Sequence, residues 1–164
     1  MESFDVLDKE RKNLGYTKIR GSVLEEHEYN MGCEVYIIND GKLLITQRCE
    51  LKSYPLEWEV TGGCAKSGQS SLDTILAETS EEIGIEFKEN ELEFLDTVIH
   101  NKMFLDIYIS NKKINLEDLI LQKEEVKDAK YVTIDEFEKM AKENKIVKSV
   151  YERYKKLNIE KYLV

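Results

Sequence analysis

Three glutamates, Glu78, Glu81 and Glu82, lie close together in the stretch "GGCAKSGQSSLDTILAETSEEIGIEF" from Gly62 to Phe87. No lysine or arginine occurs between Ser67 and Phe87, although the chain of 164 residues contains 24. On a helix these acids form i, i+3 and i, i+4 pairs of like charge, each costing roughly 0.2–0.5 kcal/mol. A solvated helix face would intersperse lysines four residues on, and this one has none. Two readings follow: an acidic face in an acidic protein, or a site whose counter-charge is a cation from outside the helix. Context favours the second, because a Gly62-Gly63 turn precedes the acids and can present its carbonyls to the same point. Hard divalent cations take several carboxylate oxygens with backbone carbonyls and waters, and Mg²⁺ commonly shares substrate phosphates.

The elements that must position these acids are legible. Leu72, Ile75, Leu76, Thr79 and Ile83 recur at a helical period and define one apolar face. At about 100° per residue, Glu78 and Glu82 fall beside that face and Glu81 further round. Ser70 with Asp73 can cap the helix and Gly84 can end it. "CEVYIINDGKLLITQRC" predicts a hairpin about Asp40-Gly41, and "LEFLDTVIHNKMFLDIYIS" a second about Asn101-Lys102. "SYPLEWEV" reads as a loop into a short strand, and "AKYVTIDEFEKMAKEN" as a strand and a helix capped by Thr133 and Glu136. "VKSVYERYKKLNIEKY" predicts a last helix, and the first thirty residues are polar and turn-rich. Strands and helices mix without strict alternation, so an α/β fold with a mixed sheet covered by helices is expected.

Length and the absence of repeats or linkers predict one domain over residues 1–164. A net charge of -9 argues against binding a nucleic acid polymer or an anionic membrane, which call for a basic footprint. It leaves room for a small anionic ligand held by local cations or a metal. There is no signal-peptide pattern and no apolar run long enough for a bilayer. Cys33, Cys49 and Cys64 are scattered without CxxC spacing, as reduced thiols of a cytoplasmic protein would be.

Gly63 to Ile85 resembles the Nudix box, G-x5-E-x7-R-E-U-x-E-E-x-G-U with U aliphatic. Gly63, Glu78, Glu81, Glu82, Gly84 and Ile85 match in place. The flanking "LLITQRCELKSYPLEWEVTGG" and "LQKEEVKDAKYVTIDEF" resemble the family's segments on either side. The resemblance implies an α/β/α sandwich that hydrolyses, with Mg²⁺ or Mn²⁺, a diphosphate linked to another moiety in a nucleoside diphosphate derivative or related small molecule. It places Glu78, Glu81, Glu82 and the Gly62 carbonyl on the metals, and Glu78, Glu81 and Glu125 in the catalytic set. The base toward water is then Glu78 or a downstream acid, Glu125 before Glu124. Arg48, Trp58 and Gly63 are the implied substrate contacts.

Three positions depart from the box: Gln69 for its first glutamate, Ala77 for its arginine and Thr79 for an aliphatic residue. An anion and a cation are lost together, which suits a differently braced active site, with a domain that binds a diphosphate without cutting it as the alternative. The opening "FDVLDKERKNLGYTKIRG" resembles members related to isopentenyl diphosphate isomerase. Their catalytic cysteine follows a tryptophan-bearing loop, and here Cys64 comes slightly late, so a plain loop role is expected for it. Tyr54 and Trp58 suit base stacking, with core packing the plainer role, and His27 and His100 show no ligand pattern. The C-terminal helix offers a homodimer surface or, more simply, packs on its own domain.

Overall fold

The computed structural model describes residues 1–164. Two strands, β1 (Ser3–Leu7) and β2 (Asn13–Ile19), form a separate antiparallel hairpin. The main sheet is built from β3 (Asn30–Asn39), β4 (Lys42–Arg48), β5 (Trp58–Glu59), β6 (Gly62–Cys64), β7 (Glu93–His100), β8 (Met103–Ser110) and β9 (Val126–Val132). Its main path runs β5-β4-β3-β8-β7, with β6 also on β3 and β9 also on β4. The β3–β8 pair is parallel over its length and the other pairs are antiparallel, so the sheet is mixed as expected.

Alternation along the central strands explains the layers. Tyr36 and Ile38 of β3, Leu43 and Ile45 of β4, and Leu105, Ile107 and Ile109 of β8 point to one face. There they meet Phe137 and Met140 of α2 (Ile134–Lys142) and Val150 and Tyr154 of α3 (Lys148–Lys156). Cys33, Val35, Ile37, Leu44 and Tyr108 point to the other face, where Ile75 and Ile83 of α1 (Ser71–Ile83) cover them. The result is the expected α/β/α sandwich.

The predicted turns and caps hold. Asp40 and Gly41 take φ of 51° and 73°, and Asn101 and Lys102 take 47° and 66°, the positive angles of tight hairpins. Ser70 and Asp73 form a complete capping box, and Gly84 ends α1 at φ 71°. Thr133 and Glu136 do the same for α2. The C-terminal helix packs on its own domain, with Tyr154 4.6 Å from Phe137 between ring centroids. The N-terminal hairpin was not signalled, because most of β2 faces solvent and shows no apolar alternation. It is nonetheless fastened to the loop before α1: Ser67 Oγ and the Gly68 N–H donate to the Asp5 carboxylate at 2.7 and 3.0 Å. Arg11 holds Asp106 of β8 through two bonds at 2.8 and 2.5 Å.

Candidate active site

A cavity of about 400 Å³ opens where α1, β6, the loop after β4 and the start of α3 converge. It gathers Glu78, Glu81, Glu82, Gly62, Gly63, Arg48 and Glu125, residues from four separate stretches of sequence. The two glycines are required by close approach. A Cβ on Gly62 would lie 2.3 Å from the Cys33 carbonyl oxygen across the β3–β6 pair, and one on Gly63 would lie 2.6 Å from the Glu78 carboxyl carbon. The expected glycine turn is instead a short strand, β6, paired with β3, and its Gly63 touches the first glutamate. Glu125 reaches the cavity because the chain before it is bonded to the end of α1: the Ile120 and Gln122 N–H groups donate to the Ile83 and Glu82 carbonyls at 3.0 Å. Glu124 is exposed and is not part of the lining.

The electrostatics of α1 are those of crowded acids. Burial pushes Glu82 up to about 9, with the neighbouring Glu78 charge as the second cause. Burial also raises Glu78, against the pull of a hydrogen bond from Glu82 and of Lys66 and Arg20. Two adjacent, half-buried carboxylates with raised proton affinity are a donor set that a hard divalent ion takes in place of protons. Glu81, on the exposed side of the helix, adds a third carboxylate to the same cavity. The chemistry of the residues present thus fits a divalent metal.

The three box departures are accommodated by their surroundings. Gln69 Oε1 accepts from the Lys66 N–H at 3.0 Å and from Thr74 Oγ1 at 3.3 Å, so a neutral amide closes the loop before α1. The cation absent at Ala77 is supplied from outside the helix, by Arg20, Lys52 and Lys66, whose charges act on Glu78 and Glu82. Thr79 is fully buried, and its hydroxyl donates to the Ile75 carbonyl at 2.8 Å, so it fills an aliphatic place without an orphaned polar group.

Other expected residues fall differently. Trp58 is a core residue, 8% exposed, with Lys130 4.7 Å above its ring. On β5 it and Glu59 point to opposite sides, and Glu59 lines the cavity while Trp58 does not. The aromatic at the cavity rim is Tyr54, 60% exposed. Arg48 is present but engaged: its Nη1 donates to both Glu59 oxygens at 2.9 Å and its Nε to the Ser53 carbonyl at 2.6 Å. Cys64 lines the cavity, and burial pushes its thiol up.

Sequence reading missed Lys52, which sits 2.5 Å from Glu125, and the cluster of Glu34, His100 and Arg153 at the inner end. Glu34 carried a signal, a lone acid in the apolar run "CEVYIIN", and it is 4% exposed. The lysine and arginine had none, since their partners are distant in sequence. A second acidic group, Glu25, His27 and Glu28, has ligand atoms within 4.8 Å of one another. Its buried member is already engaged, because Glu28 accepts from Lys18 Nζ, Tyr16 OH and the Glu25 N–H at 2.5–2.8 Å. That group is a structural tie.

Comparison with known proteins agrees with this architecture. The sequence profile of the NUDIX domain matches residues 29–154. An uncharacterised Nudix hydrolase of Listeria monocytogenes is 36% identical over 141 residues, which cover 84% of this chain and 83% of that protein. A crystal structure from Deinococcus radiodurans superposes with a TM-score of 0.74 at 17% identity, over 89% of this chain and 92% of that one. A bifunctional NMN adenylyltransferase/ADP ribose pyrophosphatase of Francisella tularensis, complexed with AMP and a manganese ion, gives a TM-score of 0.60 at 13% identity. The match covers 80% of this chain and 42% of that one, a likeness of fold.

Proposed function

This chain belongs to the Nudix family, and on that premise we propose that it is a divalent-metal-dependent hydrolase. It cleaves a diphosphate linkage in a nucleoside diphosphate derivative or a related small molecule. The observation that carries the reading is the trio of cavity carboxylates, Glu78, Glu81 and Glu82, with no basic partner on their own helix and a raised proton affinity at two of them. Residues 1–164 act as one unit, since the N-terminal hairpin supplies Glu2 and Arg20 to the cavity rim.

Glu78 and Glu82, with Glu81 and the Gly62 carbonyl, hold Mg²⁺ or Mn²⁺. The ion supplies counter-charge to the diphosphate and makes a nearby water more acidic. Glu125 accepts the proton of the attacking water. It comes from a different element, and Lys52 fixes its position from 2.5 Å away. Gly63, on β6, keeps the approach to Glu78 open, and the bonds of Gln69 to Lys66 and Thr74 close the loop between β6 and α1.

The test is product release from a panel of nucleoside diphosphate derivatives with Mg²⁺ and with Mn²⁺. Metal-dependent cleavage of at least one compound is expected. No turnover on any compound, with ligand-induced thermal stabilisation retained, would instead establish the binding-only reading that Gln69 and Ala77 leave open.

A further inference from the structure

Each lysine or arginine that lines the cavity carries a carboxylate partner from the same lining. Arg20 meets Glu2 at 3.0 Å, Arg48 meets Glu59 at 2.9 Å, Lys52 meets Glu125 at 2.5 Å and Arg153 meets Glu34 at 2.7 Å. A substrate phosphate that draws fully on one of these cations must compete with its partner, and the cost of opening the pair differs. In the Arg48–Glu59 and Arg153–Glu34 pairs no side chain is more than 21% exposed, and parting them strands a buried charge. Lys52 is held by the carboxylate proposed as the base, so its release would unfix that group. Arg20 and Glu2 are 67% and 45% exposed at their side chains, and such a pair opens at small cost.

Glu2 is met by a second cation as well. Its Oε2 accepts from Arg20 Nη1 at 3.0 Å, and its Oε1 lies 3.4 Å from Lys66 Nζ. Two cations from distant stretches thus take the two oxygens of one carboxylate, as they would take two oxygens of a phosphate. The charges of both reach Glu78, which sets them beside the proposed metal carboxylates. Glu125, another acid whose charge reaches Arg20, is held by Lys52. The main chain here is fixed without the Glu2 side chain. The Arg20 N–H donates to the Glu2 carbonyl, the Ser67 N–H to the Ser3 carbonyl and the Ala65 N–H to the Met31 carbonyl, each at 2.9 Å. The Glu2 carboxylate can therefore swing into solvent and leave both cations in place.

We propose that Arg20 and Lys66 receive one phosphate of the substrate diphosphate, and that Glu2 occupies them in the empty site as an internal competitor. Glu2 then raises KM, because each substrate molecule must displace its carboxylate before the two cations are free. This deepens the hydrolase reading and rests on it for the placement of the diphosphate over Glu78, Glu81 and Glu82.

The test is steady-state kinetics with Mg²⁺ on UDP-glucose and ADP-ribose. Glu2→Gln should lower KM roughly two- to fivefold, the scale of a partly exposed ion pair, and leave kcat within about twofold. Arg20→Gln and Lys66→Gln should each raise KM several-fold. With both cations replaced, adding Glu2→Gln should no longer lower KM, since the carboxylate then has nothing to occupy. A Glu2 that only fastens the hairpin gives the opposite sign, because its loss would loosen Arg20 and raise KM. The proposal is overturned by an unchanged or raised KM in Glu2→Gln, or by an unchanged KM in either cation variant. A lowering that persists without the two cations overturns it too, because Glu2 would then act through space. Absence of cleavage counts against the hydrolase reading alone, and the cation pair is then read by calorimetry with pyrophosphate and Mg²⁺. Tighter binding by Glu2→Gln and weaker binding by Arg20→Gln support the proposal, whereas equal or reversed affinities, or no binding by any variant, overturn it.

Discussion

Glu82 concentrates the charge problem of the site. Its proton affinity is raised because burial and Glu78 both disfavour its ionised form, so the metal-free fold carries a proton that the unfolded chain releases at neutral pH. Glu82→Gln removes that cost. The metal-free variant should match the wild type below about pH 4.5 and become increasingly more stable above it, in denaturant titrations run across pH. The same variant should lose divalent-cation affinity by calorimetry and lose hydrolysis. Glu125→Gln should behave differently, retaining metal affinity while kcat falls by about 10²–10⁴, the usual contribution of a positioned base. Rate profiles of the two variants beside their metal-binding curves separate holding the ion from moving the proton. At this scale, the glutamates of α1 were legible because their relation is local, three and four residues apart on one helix. Arg153 and Lys52 were not, because their partners are brought to them only by the sheet and by α3. Trp58 takes the plainer of its two expected roles, core packing, and its implied substrate contact is not met, because a short strand next to a loop gives no alternation from which to judge its face.

At the scale of elements, α1 and the Gly62-Gly63 strand form one device. The capping box of Ser70 and Asp73 fixes where the helix begins, and hence which residues face the cavity. Ser70→Ala should cost about 1 kcal/mol of stability in a denaturant titration, typical of a lost N-cap. The two glycines should differ. On Gly62, a Cβ meets backbone, the Cys33 carbonyl oxygen, so Gly62→Ala must disturb the β3–β6 pairing and destabilise the fold. On Gly63 it meets only the end of the flexible Glu78 side chain, so Gly63→Ala should fold normally yet bind metal more weakly. Thermal melts with and without Mg²⁺ distinguish these outcomes. The hairpins, caps and layer alternation were readable in sequence because turn residues and period-2 patterns are local. The β1–β2 hairpin escaped because its outward strand buries too little to leave a pattern, and its fastening to Ser67 and Gly68 spans more than sixty residues.

Across the whole molecule, stability and function pull on the same charges. Glu28 is held down to about 2 by the Glu25 N–H, Lys18 and Tyr16, so its contribution is present above its unfolded value of about 4.5 and lost as pH falls towards 2. Glu82 has the opposite sign, and its cost grows from about pH 4.5 to about 9, with a limiting slope of about 1.4 kcal/mol per pH unit. Together these two groups favour the mildly acidic range for the metal-free protein. Saturating Mg²⁺ should remove the loss of stability above that range by taking the place of the Glu82 proton. Arrangement into an α/β/α sandwich brings the acids, the glycine strand and the loop cations to one cavity, where we propose that a diphosphate is hydrolysed with a bound divalent ion. The most direct measurement is phosphorus NMR of UDP-glucose and ADP-ribose incubated with the protein in ¹⁸O-labelled water. With Mg²⁺, two monophosphate products should appear from at least one compound, one of them carrying the label, and none should appear with EDTA or with Glu82→Gln. Intact diphosphate under every metal condition, or cleavage that persists in EDTA, would contradict the account.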